Sequence, residues 1–158
     1  MKIRLCHTIT LLLLLLPLAL YAQEEPVSTG FFNKVAAGGH DVKAYHGLAR
    51  SDKAVKGKKD FVVEWKGAKW RFVSQQDSEA FAENPERFAP AYNGYCANAL
   101  SLGEGLVKTN GKHWAIFDNK LFLFYASRGA ERWRNSNYKA LKKIADREWA
   151  TILQAKVK

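Results

Sequence analysis

Phe61-Val62-Val63-Glu64-Trp65-Lys66-Gly67-Ala68-Lys69-Trp70-Arg71-Phe72-Val73-Ser74-Gln75-Gln76-Asp77 is the stretch on which the fold turns. Apolar and polar residues partly alternate from Phe61 to Trp65. Lys66-Gly67-Ala68 breaks the run, and the alternation returns from Lys69 to Val73. Two period-two runs separated by a short glycine-containing break read as a β-hairpin with one face on a core. The period then changes. Ser74 offers the hydroxyl that an N-cap needs, and Asp77 suits the positive end of a helix. A helix is expected to about Asn84, burying Phe81 and Ala80. Asn84-Pro85 ends it, and Pro85-Glu86-Arg87-Phe88 can open a second short turn, because proline is favoured at the first helical position.

Downstream the same grammar repeats. Trp114-Ala115-Ile116-Phe117 and Leu121-Phe122-Leu123-Phe124-Tyr125 flank Asp118-Asn119-Lys120, a second hairpin. Its second strand is apolar almost throughout, so it belongs centrally in the fold. From Asn137 to Ala155, Leu141, Ile144, Ala145, Trp149, Ile152 and Leu153 recur at three- and four-residue spacing, with Lys142, Lys143, Asp146 and Arg147 outward. That is an amphipathic helix packed on the sheet. Hairpins with helices between and after them predict α+β: one small antiparallel sheet with helices packed on it. Most of Trp70, Phe72, Phe81 and Phe122 are expected to share one core.

The amino-terminal residues read as an export signal. Lys2 and Arg4 are followed by an apolar stretch from Ile9 to Leu20, and Ala22 is a small residue suited to precede a cut. The apolar run falls short of the roughly 20 residues that span a bilayer, with an uncleaved anchor as the alternative. The expected organisation is a signal peptide over 1–22, a flexible leader over 23–31 and one domain over 32–155, in an exported protein, periplasmic or secreted. Removing 22 of the 158 residues leaves 136, a single-domain length.

The chain carries a formal charge of +10, and +8 without Lys2 and Arg4. The excess lies in Lys53, Lys56, Lys58 and Lys59 and in the segment from Arg128 to Lys158. No nucleic-acid motif or aromatic interleaving accompanies it, so nucleic acid is not an expected partner. A solvated basic face is the plain reading, and weak attraction to an anionic surface is the functional one. The sequence does not specify an oligomeric state.

Chemistry-bearing residues are few. Cys6 lies in the signal, so Cys96 in Asn93-Gly94-Tyr95-Cys96-Ala97 is the one cysteine of the expected mature chain. Without an internal disulfide partner it is a structural thiol, a metal ligand, a nucleophile or an intermolecular link. In Gly38-Gly39-His40-Asp41, two glycines free the backbone for positive φ or for close approach of another group. His40 and Cys96 together could hold a transition metal through nitrogen and sulfur, with Asp41 orienting His40 or binding directly. The plainer alternative has Asp41 capping a turn and His40 as a satisfied core residue. Cys-x-x-Cys, His-Glu-x-x-His and Gly-x-Ser-x-Gly are all missing from the sequence, which removes the strong zinc, covalent-haem and hydrolase signatures.

Gly39-His40-Asp41-Val42-Lys43-Ala44-Tyr45, Trp70-Arg71-Phe72-Val73-Ser74, Phe81-Ala82-Glu83-Asn84-Pro85-Glu86-Arg87-Phe88-Ala89-Pro90 and Gly94-Tyr95-Cys96-Ala97 resemble, in that order, exported YHS-domain proteins. Lys120 to Tyr125, Trp133, Ala145-Asp146 and Trp149 continue the resemblance, which runs from about Phe32 to Trp149. It implies a small metal-associated module related to short domains of copper and heavy-metal transport ATPases. Those domains often carry cysteines in the strand–helix segment, where this chain has Val73 and Asp77. His40, Asp41, Tyr45 and Cys96 match the exported subgroup. The resulting expectation is a non-enzymatic YHS-like protein binding a transition metal, copper first, through His40, Cys96 and Asp41, with a metal-handling or envelope protein as a possible partner. The runner-up is a module that binds a partner or small ligand without metal, and a thiol-dependent enzyme comes third.

Overall fold

Both hairpins form, and both close through the same turn. The structure, a computed structural model, describes residues 25–156; the expected signal peptide and Cys6 lie outside them, as do residues 23–24 of the expected leader. Strand β1 (Val62–Trp65) pairs antiparallel with β2 (Ala68–Arg71), and β3 (His113–Phe117) pairs antiparallel with β4 (Lys120–Phe124). Each is joined by two residues with positive φ: Lys66 (48°) and Gly67 (64°) in the first, Asp118 (46°) and Asn119 (58°) in the second. Two central residues in the left-handed region are the signature of the type I′ turn, whose twist matches that of the flanking strands. The breaks are therefore one residue shorter than expected, and Ala68 and Lys120 belong to strands.

Five α-helices are present among the described residues: α1 (Gln75–Glu83), α2 (Pro85–Phe88), α3 (Ala97–Leu100), α4 (Ser127–Asn135) and α5 (Tyr138–Ala155). The capping reading holds: the Ser74 hydroxyl accepts from the Asp77 amide at 3.1 Å. The Asn84 side chain accepts from Arg87 N and opens α2 at Pro85, and that of Asn137 accepts from Ala140 N at the start of α5. The periodicity reading did not include α4. Its inward residues are only Gly129, Ala130 and Trp133, set among four charged side chains, too thin an apolar stripe to stand out.

The fold is α+β, but the hairpins form two separate two-stranded sheets rather than one. The reason is visible on β4. Leu121 and Leu123 face a cluster containing Val42, Tyr45, Trp70, Phe72 and Phe81, whereas Phe122 and Phe124 face a second cluster containing Tyr92, Leu100, Trp133 and Ala145. An extended strand presents alternate residues to opposite faces, so a strand apolar on both faces can bury both. β4 thus stands between two cores, as its composition predicts: Trp70, Phe72 and Phe81, most of the four residues expected together, share the first cluster, and Phe122 belongs to the second. On α5, Ala145 is fully buried and Ile144 is exposed, which narrows the expected stripe by one residue.

The described part of the expected leader makes hydrogen bonds to the rest of the chain. Asn93 Nδ2 donates to Glu25 and to the Pro26 carbonyl, Ser28 N donates to the Asn93 carbonyl, and the Ser28 hydroxyl accepts from Thr109 N. Ser28 is buried, and Lys66 forms an ion pair with Glu25. Further along, Lys69 N donates to the Lys34 carbonyl and Ala36 N to the Lys69 carbonyl, so the chain covers the outer edge of β2.

Candidate functional site

The two glycines before His40 make room for another stretch of this same chain. Ala37–Gly39 is one 3-10 turn in which Gly38 (φ 58°) and Gly39 (φ 76°) are left-handed. A Cβ on Gly38 would lie 2.1 Å from the Asn110 carbonyl oxygen. Across the seam, a Cβ on Gly111 (φ 78°) would lie 2.3 Å from the Ala37 oxygen and 2.6 Å from His40 Nδ1. Residues 37–40 and 110–111 therefore pack backbone on backbone, which only glycine allows at these positions. The Tyr45 hydroxyl donates across to the Gly111 carbonyl at 2.6 Å, and on the near side His40 Nδ1 pairs with the Ala37 carbonyl at 3.0 Å.

Asp41 adjoins His40 in sequence and is fully buried. One carboxylate oxygen accepts from the amides of Lys43 and Ala44, and the other accepts from Val73 N at 2.8 Å. It caps the turn Ala44–Gly47 and ties it to the exit of β2. Burial pushes its carboxyl above the ordinary value, against the pull of those three amides. His40 is pushed below its ordinary value, first by burial and then, against the Ala37 carbonyl, by the nearby Lys56 and Lys112. The plainer sequence alternative, a turn-capping Asp41 and a satisfied His40, describes this geometry.

Cys96 sits elsewhere. Its buried Sγ accepts from Tyr125 N at 3.3 Å and from Ala99 N at 3.5 Å, joining the start of α3 to the end of β4. It borders a small cleft of about 70 Å³ with Glu104, Val107 and Arg128, whereas His40 borders another with Asp52, Lys53 and Lys112. The thiol belongs to the second core, and the residues flanking His40 belong to the first. The expected shared site of His40, Asp41 and Cys96 does not assemble. Among the described residues, no group of three or more His, Cys, Asp or Glu side chains could hold a metal ion. A metal requires ligand atoms at about 2.0–2.3 Å from one ion. Asp41 has both oxygens on amides and Cys96 shares no cleft with His40, so these donors do not fit one.

A different arrangement of charged residues opens beside β3. Leu48, Arg50, Trp114, Ala115, Ile116, Phe117 and Arg134 line a cleft of about 370 Å³, within the range of small-molecule sites. Arg134 comes from the last turn of α4 and donates to the Trp114 carbonyl at 2.5 Å. Arg50 follows the turn that Asp41 caps. The two guanidiniums line one cleft with no carboxylate among its lining residues, and neither forms an ion pair among the described residues. Burial and then the charge of Arg50 hold Arg134 below its ordinary value, opposed by Glu131. Trp114 forms one wall and packs edge-on against Tyr45, their ring centres 5.3 Å apart. Sequence reasoning missed Arg50 and Arg134. The visible signal was the basic segment after Arg128, but nothing in the pattern pairs it with position 50.

Comparison with protein-family models, with curated proteins and with solved structures finds no match.

Proposed function

We propose that this chain is a non-catalytic binding module whose Arg50–Arg134 cleft takes an organic carboxylate. The observation that carries this reading is the convergence of two arginines on a partly apolar cleft with no carboxylate among its lining residues. Guanidinium groups match carboxylates in bidentate geometry and are more weakly hydrated than ammonium groups, so they suit half-buried anion recognition. Leu48, Ile116, Phe117 and Trp114 offer the apolar surface that holds the body of such a ligand.

The YHS-like assignment and the exported location belong to the same proposal and rest on the sequence resemblance and the amino-terminal pattern. Within it, ligand binding takes precedence over copper binding, because His40, Asp41 and Cys96 are each engaged in holding the chain together.

The test is titration with benzoate, read by calorimetry and by tryptophan fluorescence. Arg134→Gln and Arg50→Gln should each weaken binding at least tenfold, with the circular dichroism of the fold unchanged. Wild-type affinity in both variants would overturn the assignment of the cleft. A parallel copper titration separates the alternatives: stoichiometric copper lost in Cys96→Ser would restore the metal reading.

A further inference from the structure

We propose that the carboxylate arrives as part of an extended acidic peptide, which pairs as a strand with the edge of β3 left open at Ile116. The inference rests on the Arg50–Arg134 reading above and identifies the class of ligand. Its starting point is the two-residue turn. Phe117 and Lys120 flank that turn and face each other, and the residues closing a two-residue hairpin exchange backbone hydrogen bonds. Alternation along an antiparallel pair then directs the amides and carbonyls of Phe117, Ala115 and His113 toward β4. It directs those of Trp114 and Ile116 away from it. The Arg134 guanidinium on the Trp114 carbonyl agrees with that assignment. Ile116 N–H and C=O have no hydrogen-bond partner outside the strand among the described residues.

The other hairpin shows what such an edge is made for. In β2 the outward residue Lys69 receives Ala36 N and donates to the Lys34 carbonyl, so the chain itself supplies the neighbouring segment. On β3 that place is left to the cleft, and Ile116 lines it. An uncovered strand edge is a template for another strand, and proteins usually blunt it with proline, lysine or a bulge. His113-Trp114-Ala115-Ile116-Phe117 carries none of these.

Charge selects the occupant. Two arginines and no acid line the cleft, and the chain has a formal charge of +10, which disfavours a second copy. Arg134 marks the Trp114 end, and Ile116 lies two residues along the strand, about 7 Å away. The ligand's carboxylate must therefore fall within one or two residues of the residue that pairs with Ile116. Backbone hydrogen bonds supply the pairing, and the arginines select the acidic end.

The probe is an acetylated pentapeptide of alternating threonine and valine ending in glutamate, titrated against the full chain. It is compared with variants N-methylated at one amide at a time. A peptide lying as a strand turns alternate amides toward β3, and the Trp114 carbonyl is already held by Arg134, so N-methylation should weaken binding at least tenfold at the amide that pairs with the Ile116 carbonyl and little at the amides on either side of it. The Ile116 amide should become protected from hydrogen exchange. Arg134→Gln and Arg50→Gln should each weaken the parent peptide at least tenfold. Arginine-dependent binding of benzoate and peptide, without that loss confined to one amide, would overturn strand addition and leave the carboxylate cleft standing. Peptide and benzoate binding that ignores both arginine variants would overturn both readings. Self-association in sedimentation that is abolished by Arg50→Gln would overturn the peptide in favour of a second copy.

Discussion

The two hairpins share a turn type and differ in everything around it. In β1 and β2, burial alternates: Ala68 and Trp70 are buried, whereas Lys69 is exposed and Val62 is 39% exposed. In β4, Leu121, Phe122, Leu123 and Phe124 are all buried, in two different clusters. The first hairpin is a lid with one wet face, and the second is a wall between two cores. A strand's composition reports how many of its faces are covered, because each face follows its own every-second-residue pattern. The edges differ as well. That of β2 is taken by Lys34–Ala36, and that of β3 borders the arginine cleft.

Core truncation should break the symmetry between the hairpins most strongly. Phe122→Ala and Leu123→Ala lie on opposite faces of β4, and both should destabilise the protein, by about 3–5 and 2–5 kcal/mol respectively. Phe81→Ala, beneath the first hairpin, should also cost about 3–5 kcal/mol. Urea denaturation measures all three. A neutral Leu123→Ala would mean that β4 has only one packed face.

The seam between the halves comes next. Gly38→Ala forces a left-handed alanine against the Asn110 carbonyl and should cost about 3 kcal/mol, from backbone strain and overpacking together. A wild-type melting temperature would show that residues 37–40 and 110–111 separate without penalty. Asp41→Asn replaces one acceptor oxygen by a donor amide, leaving one or two of the amides of Lys43, Ala44 and Val73 without a partner. About 1–3 kcal/mol is expected, and earlier hydrogen exchange at Val73 would localise the loss.

The pH dependence is subtler. Burial holds His40 and His46 below their ordinary value of 6.5, and both face cations: Lys56 and Lys112 for His40, Lys120, Arg87 and Lys43 for His46. The unfolded chain binds these protons more readily than the folded one. Their stabilising effect is fully present above pH 6.5 and is lost as the pH falls through the depressed folded values. The raised Asp41 carboxyl acts in the opposite sense: the folded state holds its proton better, so acid favours folding in the window just above pH 3.8. Stability measured by urea midpoint should therefore fall from pH 7 toward pH 5, and His40→Gln should flatten that slope. An unchanged slope would remove His40 as a source. The smallest effect belongs to the wet face of the first hairpin: Val62→Ala should stay within about 0.5 kcal/mol, and a larger loss would mean that β1 is covered on both sides.

Local pattern made much of this fold legible. The hairpin positions, the Ser74 cap, the break at Asn84-Pro85, the long helix from Tyr138 and the central place of β4 all follow from interactions within a few residues. The site was far less legible. Gly38, Gly39, His40, Asp41 and Cys96 stood out because their residue types can carry chemistry, and the same types also build tight seams. Gly38 admits the Asn110 carbonyl, Asp41 gathers amides from two segments, and Cys96 accepts from α3 and from Tyr125 just past β4.

By itself, then, the sequence determined the elements and which strand must be covered on both faces, since capping, turn conformation and period-two burial are local. Only the tertiary structure decided that the hairpins stay in separate sheets, that His40 and Cys96 border different clefts, and that Arg50 and Arg134 line the same one. Those outcomes depend on how faces far apart in the chain pack together. Packing is set by shape and volume summed over many side chains, which no short spacing in the sequence records.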